Sequence, residues 1–193
     1  MDRLGASGLA AALRGGVDCL QLRDRALEGA ALLARADAAR AVADAAPHPV
    51  RLLVNRRLDV ARCAEADGVH LGFDALAPPE ARRQLGERAW IGVSAHAPEE
   101  AAAAEGADYV HLAPVFDPLS KPASRPALGL DRLAEACALG KRVWAQGGID
   151  ASNAGAAVSA GADGVAVTGA LSSAADPERA ARALRAALDA HAA

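Results

Sequence analysis

Short apolar runs in this chain end, one after another, in residues able to hold an anion or move a proton. In chain order the run ends carry Gln21, Arg23 and Arg25; Asn55, Arg56 and Arg57; Phe73 and Asp74; Ser94 and His96; Ser120 and Lys121; Gln146, Gly147 and Gly148; and Thr168 and Gly169. Guanidinium groups present a planar fork of donors to phosphate or carboxylate, and lysine a point charge. Arg23, Arg25, one of Arg56 or Arg57, and Lys121 come from three loops; at one mouth they would form a positive funnel. Gly147-Gly148 stands where RVWAQ (142–146) gives way to an alanine-rich helical pattern. Such a pair serves a tight turn with positive φ, or lets bare backbone N–H groups approach an anion. A second small-residue turn, Thr168-Gly169 in VTGAL (167–171), favours the anion reading.

The histidines have quieter readings beside the catalytic one. His70 and His111 fall inside apolar runs, where histidine is more often a hydrogen-bonded core residue than a catalyst. His111 carries more weight because it lies nearer a loop, and His96 sits at a helix entry before Pro98. Arg14, Arg40 and Arg82 lie on helical patterns and read as solvated charges.

One recurring phrase indicates what positions these residues: GGVDCLQL (15–22), EADGVHL (65–71), GADYVHL (106–112) and GADGVAV (161–167). Between successive copies lies one other apolar run, RLLVN (51–55), WIGVS (90–94) or RVWAQ (142–146). These runs are too short for helices and read as nearly continuous apolar strands of a buried parallel sheet. Helical patterns separate them at about 27–46, 57–65, 77–87, 97–105, 130–140, 151–160 and 176–192, the last opened by Asp176-Pro177. Alternation of this kind implies an α/β fold. The expected architecture is a (β/α)₈ TIM barrel whose first strand is missing or displaced, since a helix-like stretch, ASGLAAALRGG, precedes the first strand at 15–22. The alternative is an open doubly wound sheet. In both, chemistry gathers at the C-terminal ends of the strands, and in barrels the loops after strands seven and eight commonly hold phosphate.

With 193 residues the chain, 1–193, reads as one domain. A net charge of −3 and 3% aromatics argue against nucleic-acid binding, and no apolar run reaches membrane-span length. Cys19, Cys63 and Cys137 fit neither a disulfide framework nor a zinc site, so a cytoplasmic protein with reduced thiols is expected. The expected partner is a small phosphate ligand; a homodimer across an open sheet edge is the other contact considered. The segment 113–130 is the longest irregular stretch and holds prolines at 114, 118, 122 and 126, so it reads as a lid carrying Ser120, Lys121 and Arg125 over an anion.

The phrases QLRDR (21–25), LVNRRLDVA (53–61), ADGVHLG (66–72), IGVSAH (91–96), GADYVHLAPVFDPLSK (106–121), QGGI (146–149) and GADGVAV (161–167) together resemble the thiamine phosphate synthase/TenI family. The resemblance implies a (β/α)₈ barrel and one of two activities. A synthase joins a pyrimidine methyl diphosphate to a thiazole phosphate with Mg²⁺, and a TenI-like tautomerase acts on a thiazole phosphate carboxylate without metal. It also implies substrate or diphosphate contacts at Gln21, Asn55, Ser94, Ser120 and Lys121, with Arg25 in place of a diphosphate-binding lysine. A thiazole phosphate cradle is implied at Gly148 and Thr168-Gly169. The family's Asn-Asp metal position is Asn55-Arg56 here, and its second carboxylate falls at Ala75, with Asp74 one residue early. A guanidinium in that shell repels Mg²⁺. The first expectation is therefore a metal-free tautomerase with no cofactor, and the alternatives are the Mg²⁺-dependent synthase and a non-catalytic phosphate-binding scaffold. The tautomerase's proton-shuttling histidine aligns with Pro114, so His111 is the nearest substitute, with His96 and His70 as other possible donors; His111, His96 and Lys121 are the catalytic candidates.

Overall fold

The structure, a computed structural model, describes residues 4–72, 74–117 and 125–191. Among the described residues seven strands form one sheet: β1 (Cys19–Leu22), β2 (Arg51–Asn55), β3 (Gly68–Leu71), β4 (Trp90–Ala95), β5 (Tyr109–Leu112), β6 (Val143–Gln146) and β7 (Gly164–Ala166). All are parallel and paired in chain order. The helices are α1 (Gly5–Arg14), α2 (Gly29–Asp44), α3 (Leu58–Cys63), α4 (Pro78–Leu85), α5 (Pro98–Ala102), α6 (Gly129–Cys137), α7 (Ala154–Ser159), α8 (Gly169–Ser172) and α9 (Pro177–Asp189). Pro177 occupies the first turn of α9, and Asp176 caps it by accepting the Arg179 amide at 3.0 Å.

The strands are apolar along most of their length, as in Leu52-Leu53-Val54, and successive side chains divide between two faces. Val69, Leu71, Ile91, Val110, Leu112, Val143 and Ala145 are fully buried under the helices, against small residues such as Ala36, Ala101, Ala136 and Ala157. Each buried branched aliphatic contributes roughly 1.5–3 kcal/mol. The other face turns inward and carries rings: His70, Trp90, Tyr109, His111 and Trp144 lie against one another, with Tyr109 stacked on Trp144 at 4.3 Å. Glycines make room for them. A Cβ on Gly92 would fall on the Tyr109 ring, and one on Gly68 would strike the backbone of Trp90.

The repeated aspartate has a specific use. Asp67 donates its amide to the Leu52 carbonyl (2.8 Å), while its carboxylate accepts the Leu52 amide (2.7 Å). Asp108 does the same with Ile91 (2.7 and 2.7 Å), and Asp163 with Val143 (2.8 and 2.8 Å). Each aspartate thus grips both backbone groups of one residue in the preceding strand and locks the register. A helix arginine completes two of these clamps: Arg40 reaches Asp67 at 2.9 Å, and Arg82 reaches both oxygens of Asp108 at 2.8 and 2.9 Å. Arg40 and Arg82 are therefore not the solvated charges the helical pattern suggested; the aspartates draw them in.

The first copy in the chain, GGVDCLQL, shows where the barrel is open. Asp18 precedes β1, and among the described residues no pairing joins β7 to β1. Its carboxylate instead takes Arg185 of α9 at 2.7 Å, and Arg185 also donates to the Gly16 carbonyl at 2.9 Å. Outside the sheet, the helix ring closes. A Cβ on Gly15, at the end of α1, would fall on the Glu178 carbonyl and Ala181 of α9, and Arg14 pairs with Glu178 at 2.9 Å. The geometry is that of a barrel with seven strands in place and one strand position open, and both edge strands are only part-buried apart from Leu22.

The two kinds of clamp should differ in weight. Asp108→Ala strands the Ile91 amide and a part-buried guanidinium, so a loss of about 2–3 kcal/mol is expected in urea unfolding. Asp18→Ala removes an exposed pair and should cost under about 1 kcal/mol. Equal losses would show that the carboxylate-to-amide bond does not hold the register.

Candidate active site

Because the strands are parallel, the turns after β1, β2, β4, β6 and β7 share one rim. Leu22 pairs with Val54, so Arg23 follows beside Asn55, with Arg56 next in line. Arg56 adopts φ 66°, which turns its side chain back to Asp74 at 2.8 Å. Its amide and the Asn55 side-chain amide both donate to the His70 carbonyl, at 2.9 and 3.2 Å, fixing this corner to the end of β3. Partial burial, then the charges of Arg25 and Arg56, disfavours the cationic form of Arg23. Three guanidinium groups therefore share one corner. Arg57 is not among them, because it is held by Glu28 and by both oxygens of Asp59.

Across the rim, β6 and β7 are neighbours, so Gly147-Gly148 and Thr168-Gly169 lie side by side. Both glycines have positive φ, 94° and 63°. The segment after β5 crosses them closely: Val115 donates to the Gln146 carbonyl at 2.8 Å and Phe116 to the Gly147 carbonyl at 3.1 Å. A Cβ on Gly147 would reach Pro114, and one on Gly148 would fall on the Asp117 carbonyl. Asn153 donates to the Gly148 carbonyl at 2.9 Å and accepts the Asp150 amide at 3.0 Å. Three of these bonds end on the carbonyls of Gln146, Gly147 and Gly148, and among the described residues none takes the amides of the two glycines. The glycines thus serve the turn and a close backbone crossing. A groove of about 460 Å³ between α8 and α9, lined by Asp150, Ser152, Gly169 and Ser173 among others, backs onto this turn. Its lining holds no cation, so an anion is better served at the rim.

The interior histidines sit beneath. His70 is 3% exposed and hydrogen-bonds the Tyr109 hydroxyl (3.1 Å) and the Ser94 hydroxyl (2.9 Å). His111 is 4% exposed, and its Nε2 has no partner among the described residues. Burial pushes His70 down to about 4, aided by the Arg23 charge. Burial, then His70, pushes His111 well below the usual histidine range, against a hydrogen bond that the ring donates to Gln146. Both are neutral at pH 7. His96 is part-buried; its Nδ1 meets the Ala113 carbonyl at 2.6 Å, and its amide donates to Glu100 at 2.8 Å.

Gln21, Arg23, Arg25, Asn55, Ser94, Gly147, Gly148, Thr168 and Gly169 thus follow or end strands at the same rim. Ser120, Lys121 and the tip of the expected lid lie outside the described residues. The two ends of that loop are joined, Leu128 donating to the Pro114 carbonyl at 2.8 Å and Gly129 to the Val115 carbonyl at 3.0 Å. Sequence reasoning missed Tyr109 and Asn153. The asparagine five residues after Gly148 was a readable signal, because its short amide side chain favours local backbone bonds.

The rim's donor set does not suit Mg²⁺, which needs several hard oxygens in near-octahedral order. Asp74 is committed to Arg56, and a dication a few ångströms from that guanidinium would meet repulsion on the order of 5 kcal/mol. Among the described residues no group of three or more His, Cys, Asp or Glu gathers around one point. No described helix is long and apolar enough to cross a membrane.

Comparison with known proteins adds the lineage. The family model for thiamine monophosphate synthase matches residues 3–171. A thiamine-phosphate synthase from Roseiflexus castenholzii is 44% identical over 177 residues, 90% of this chain and 77% of that protein. One from Thermus thermophilus is 44% identical over 178 residues, 90% of this chain and 84% of that protein. The solved thiamine phosphate pyrophosphorylase from Pyrococcus furiosus superposes with a TM-score of 0.87 at 28% identity, over 99% of this chain and 93% of that one.

The buried histidines imply a pH dependence of stability. An unfolded histidine titrates near 6.5, whereas folded His70 titrates near 4. Between these values the unfolded chain binds a proton that the folded chain refuses, so stability falls as pH drops from about 6.5 to 4, by about 3 kcal/mol from His70. In urea unfolding, His70→Gln should flatten the decline between pH 7 and pH 4.5 relative to wild type. Parallel declines in both proteins would mean that His70 stays solvated.

Proposed function

The chain belongs to the thiamine monophosphate synthase family, and on that premise we propose that it is a transferase joining two phosphorylated heterocycles at this rim. The substrates are a pyrimidine methyl diphosphate and a thiazole phosphate, and the second product is diphosphate. The observation that carries this reading is the presence of two anion-attracting regions on one rim. The guanidinium corner after β1 and β2 suits a diphosphate, and the amide faces of the turns after β6 and β7 suit a single phosphate.

The tautomerase reading asks for one anion and one proton carrier at the rim. The family's shuttle position is Pro114 here, His70 and His111 are neutral and buried beneath, and the Nδ1 of His96 is engaged with the Ala113 carbonyl. The relatives at 44% identity are named synthases, which also favours the transferase and weighs against a non-catalytic scaffold.

In the transferase the thiazole nitrogen lone pair forms a bond to the pyrimidine methylene carbon. The C–O bond to diphosphate breaks, and its electron pair leaves on the diphosphate oxygen. No redox change occurs, and bond formation itself moves no proton, so it asks nothing of a titrating histidine. The chain's task is to orient two rings and stabilise the charge gathering on the leaving group. Arg23 and Arg25 take the diphosphate, joined in this proposal by Ser120 and Lys121. Gly147, Gly148, Thr168 and Gly169 take the thiazole phosphate, with Gln21, Asn55 and Ser94 on the polar edges of the rings.

Supplying both substrates should give the joined product with one diphosphate released per turnover, read by mass spectrometry and a diphosphate assay. Arg23→Ala should raise KM for the diphosphate substrate by about tenfold or more, and Gly148→Ala should do the same for the thiazole phosphate. Turnover of the carboxylated thiazole phosphate tautomer, with no joined product, would replace this reading with the tautomerase.

A further inference from the structure

The corner between β1, β2 and β3 contains three guanidinium groups, of Arg23, Arg25 and Arg56, and one carboxylate, of Asp74, leaving two positive charges. The ion pair is built into the backbone. Arg56 takes φ 66°, a conformation that L side chains rarely adopt, and its amide is tied to the His70 carbonyl at 2.9 Å. Asn55, one residue earlier, donates to the same carbonyl. The guanidinium therefore leaves the strand end from a fixed point and meets Asp74 at 2.8 Å through one nitrogen, Nη2. A guanidinium has five N–H donors, so most remain for an incoming oxyanion. Both side chains are partly exposed, 41% for Arg56 and 48% for Asp74, so an anion in solution can reach them.

We infer that this corner holds the diphosphate end of the substrate by guanidinium groups alone, with Arg56 standing where a divalent cation would have to bind. This rests on the transferase reading above and names the counter-charge of its leaving group. Asp74 is then a positioning residue: it holds Arg56 at the rim before substrate arrives. A cation recruited by Asp74 would have to displace Arg56 or sit against it, whereas an oxyanion meets fixed donors. As the C–O bond breaks, the negative charge that grows on the diphosphate lies against charges already in place, and no metal need be captured first.

The test is calorimetric titration of inorganic diphosphate into the full chain, in metal-stripped buffer and again with excess MgCl2. The dissociation constants should agree within about twofold, since no bridging cation is required. Arg56→Gln should weaken metal-free binding by about tenfold or more. Arg56→Asp places a second carboxylate near Asp74 and should make diphosphate binding depend on Mg²⁺. Circular dichroism melts check that both variants fold. Binding by wild type only when Mg²⁺ is present, or an unchanged affinity in Arg56→Gln, overturns the inference. The coupling assay separates the two ideas. Joined product made only with Mg²⁺ keeps the transferase and removes the metal-free corner. Diphosphate bound without metal, with no joined product from both substrates, keeps the corner and removes the transferase.

Discussion

The reciprocal bond between an aspartate and one residue of the strand before it governs the rest of this structure. Asp67, Asp108 and Asp163 each take the amide and the carbonyl partner of a single residue, Leu52, Ile91 and Val143. A slip of one residue would turn each strand's inward side chains outward. Here that would exchange buried aliphatics such as Ile91 and Val110 with Trp90, Tyr109 and His111. The clamps work at the N-terminal end of the sheet, yet their effect is felt at the other end. There they decide that Asn55, Ser94 and Gln146, rather than their neighbours, project into the mouth.

Between clamp and rim lies a layer that links folding to chemistry. Gly68 and Gly92 leave the space that Trp90 and Tyr109 fill, and the hydroxyls of Tyr109 and Ser94 satisfy both nitrogens of His70. A fully hydrogen-bonded neutral imidazole is tolerable in such a place, whereas a buried imidazolium is costly. The layer therefore resists protonation and keeps positive charge at the rim, where the arginines lie.

Much of this is legible in the amino-acid sequence, and the reason is periodicity. The four copies of the aspartate phrase, alternating with a second type of run, disclosed parallel strands and an unfilled position in the barrel, because each βα unit solves the same burial problem. Strand ends were legible for the same reason, so Gln21, Asn55, Ser94 and Gly148 could be named. What escaped depends on partners distant in sequence. Arg40 and Arg82 look like solvated helix charges until Asp67 and Asp108 are placed beside them. Arg56 and Arg57 are adjacent and chemically identical; only the left-handed backbone at Arg56 and the acids around Arg57 send them different ways. The glycine pair after β6 had two local readings, and the chain uses a further one, the close crossing of residues 114–117, which no local pattern encodes.

The open strand position and the rim bear on each other. Arg185 closes the ring by taking Asp18, so β1 keeps its place although its outer neighbour is missing from the described sheet. β1 carries Gln21 and leads into Arg23 and Arg25, two of the three guanidinium groups of the proposed anion corner, so the position of that corner depends on β1 staying registered to β2. Four consecutive pairs, Cys19 with Arg51 through Leu22 with Val54, supply that register from the β2 side alone. The charges at the corner repel one another, and Asp74 offsets only one of them. An anion that bridges Arg23 and Arg56 would therefore relieve repulsion and join the ends of β1 and β2 at once. By linkage, such a ligand stabilises the edge of the sheet that has only one neighbour. A site made of mutually repelling charges on a singly supported strand costs stability when empty. The proposed binding of an anion at that mouth would be the physical reason to retain it.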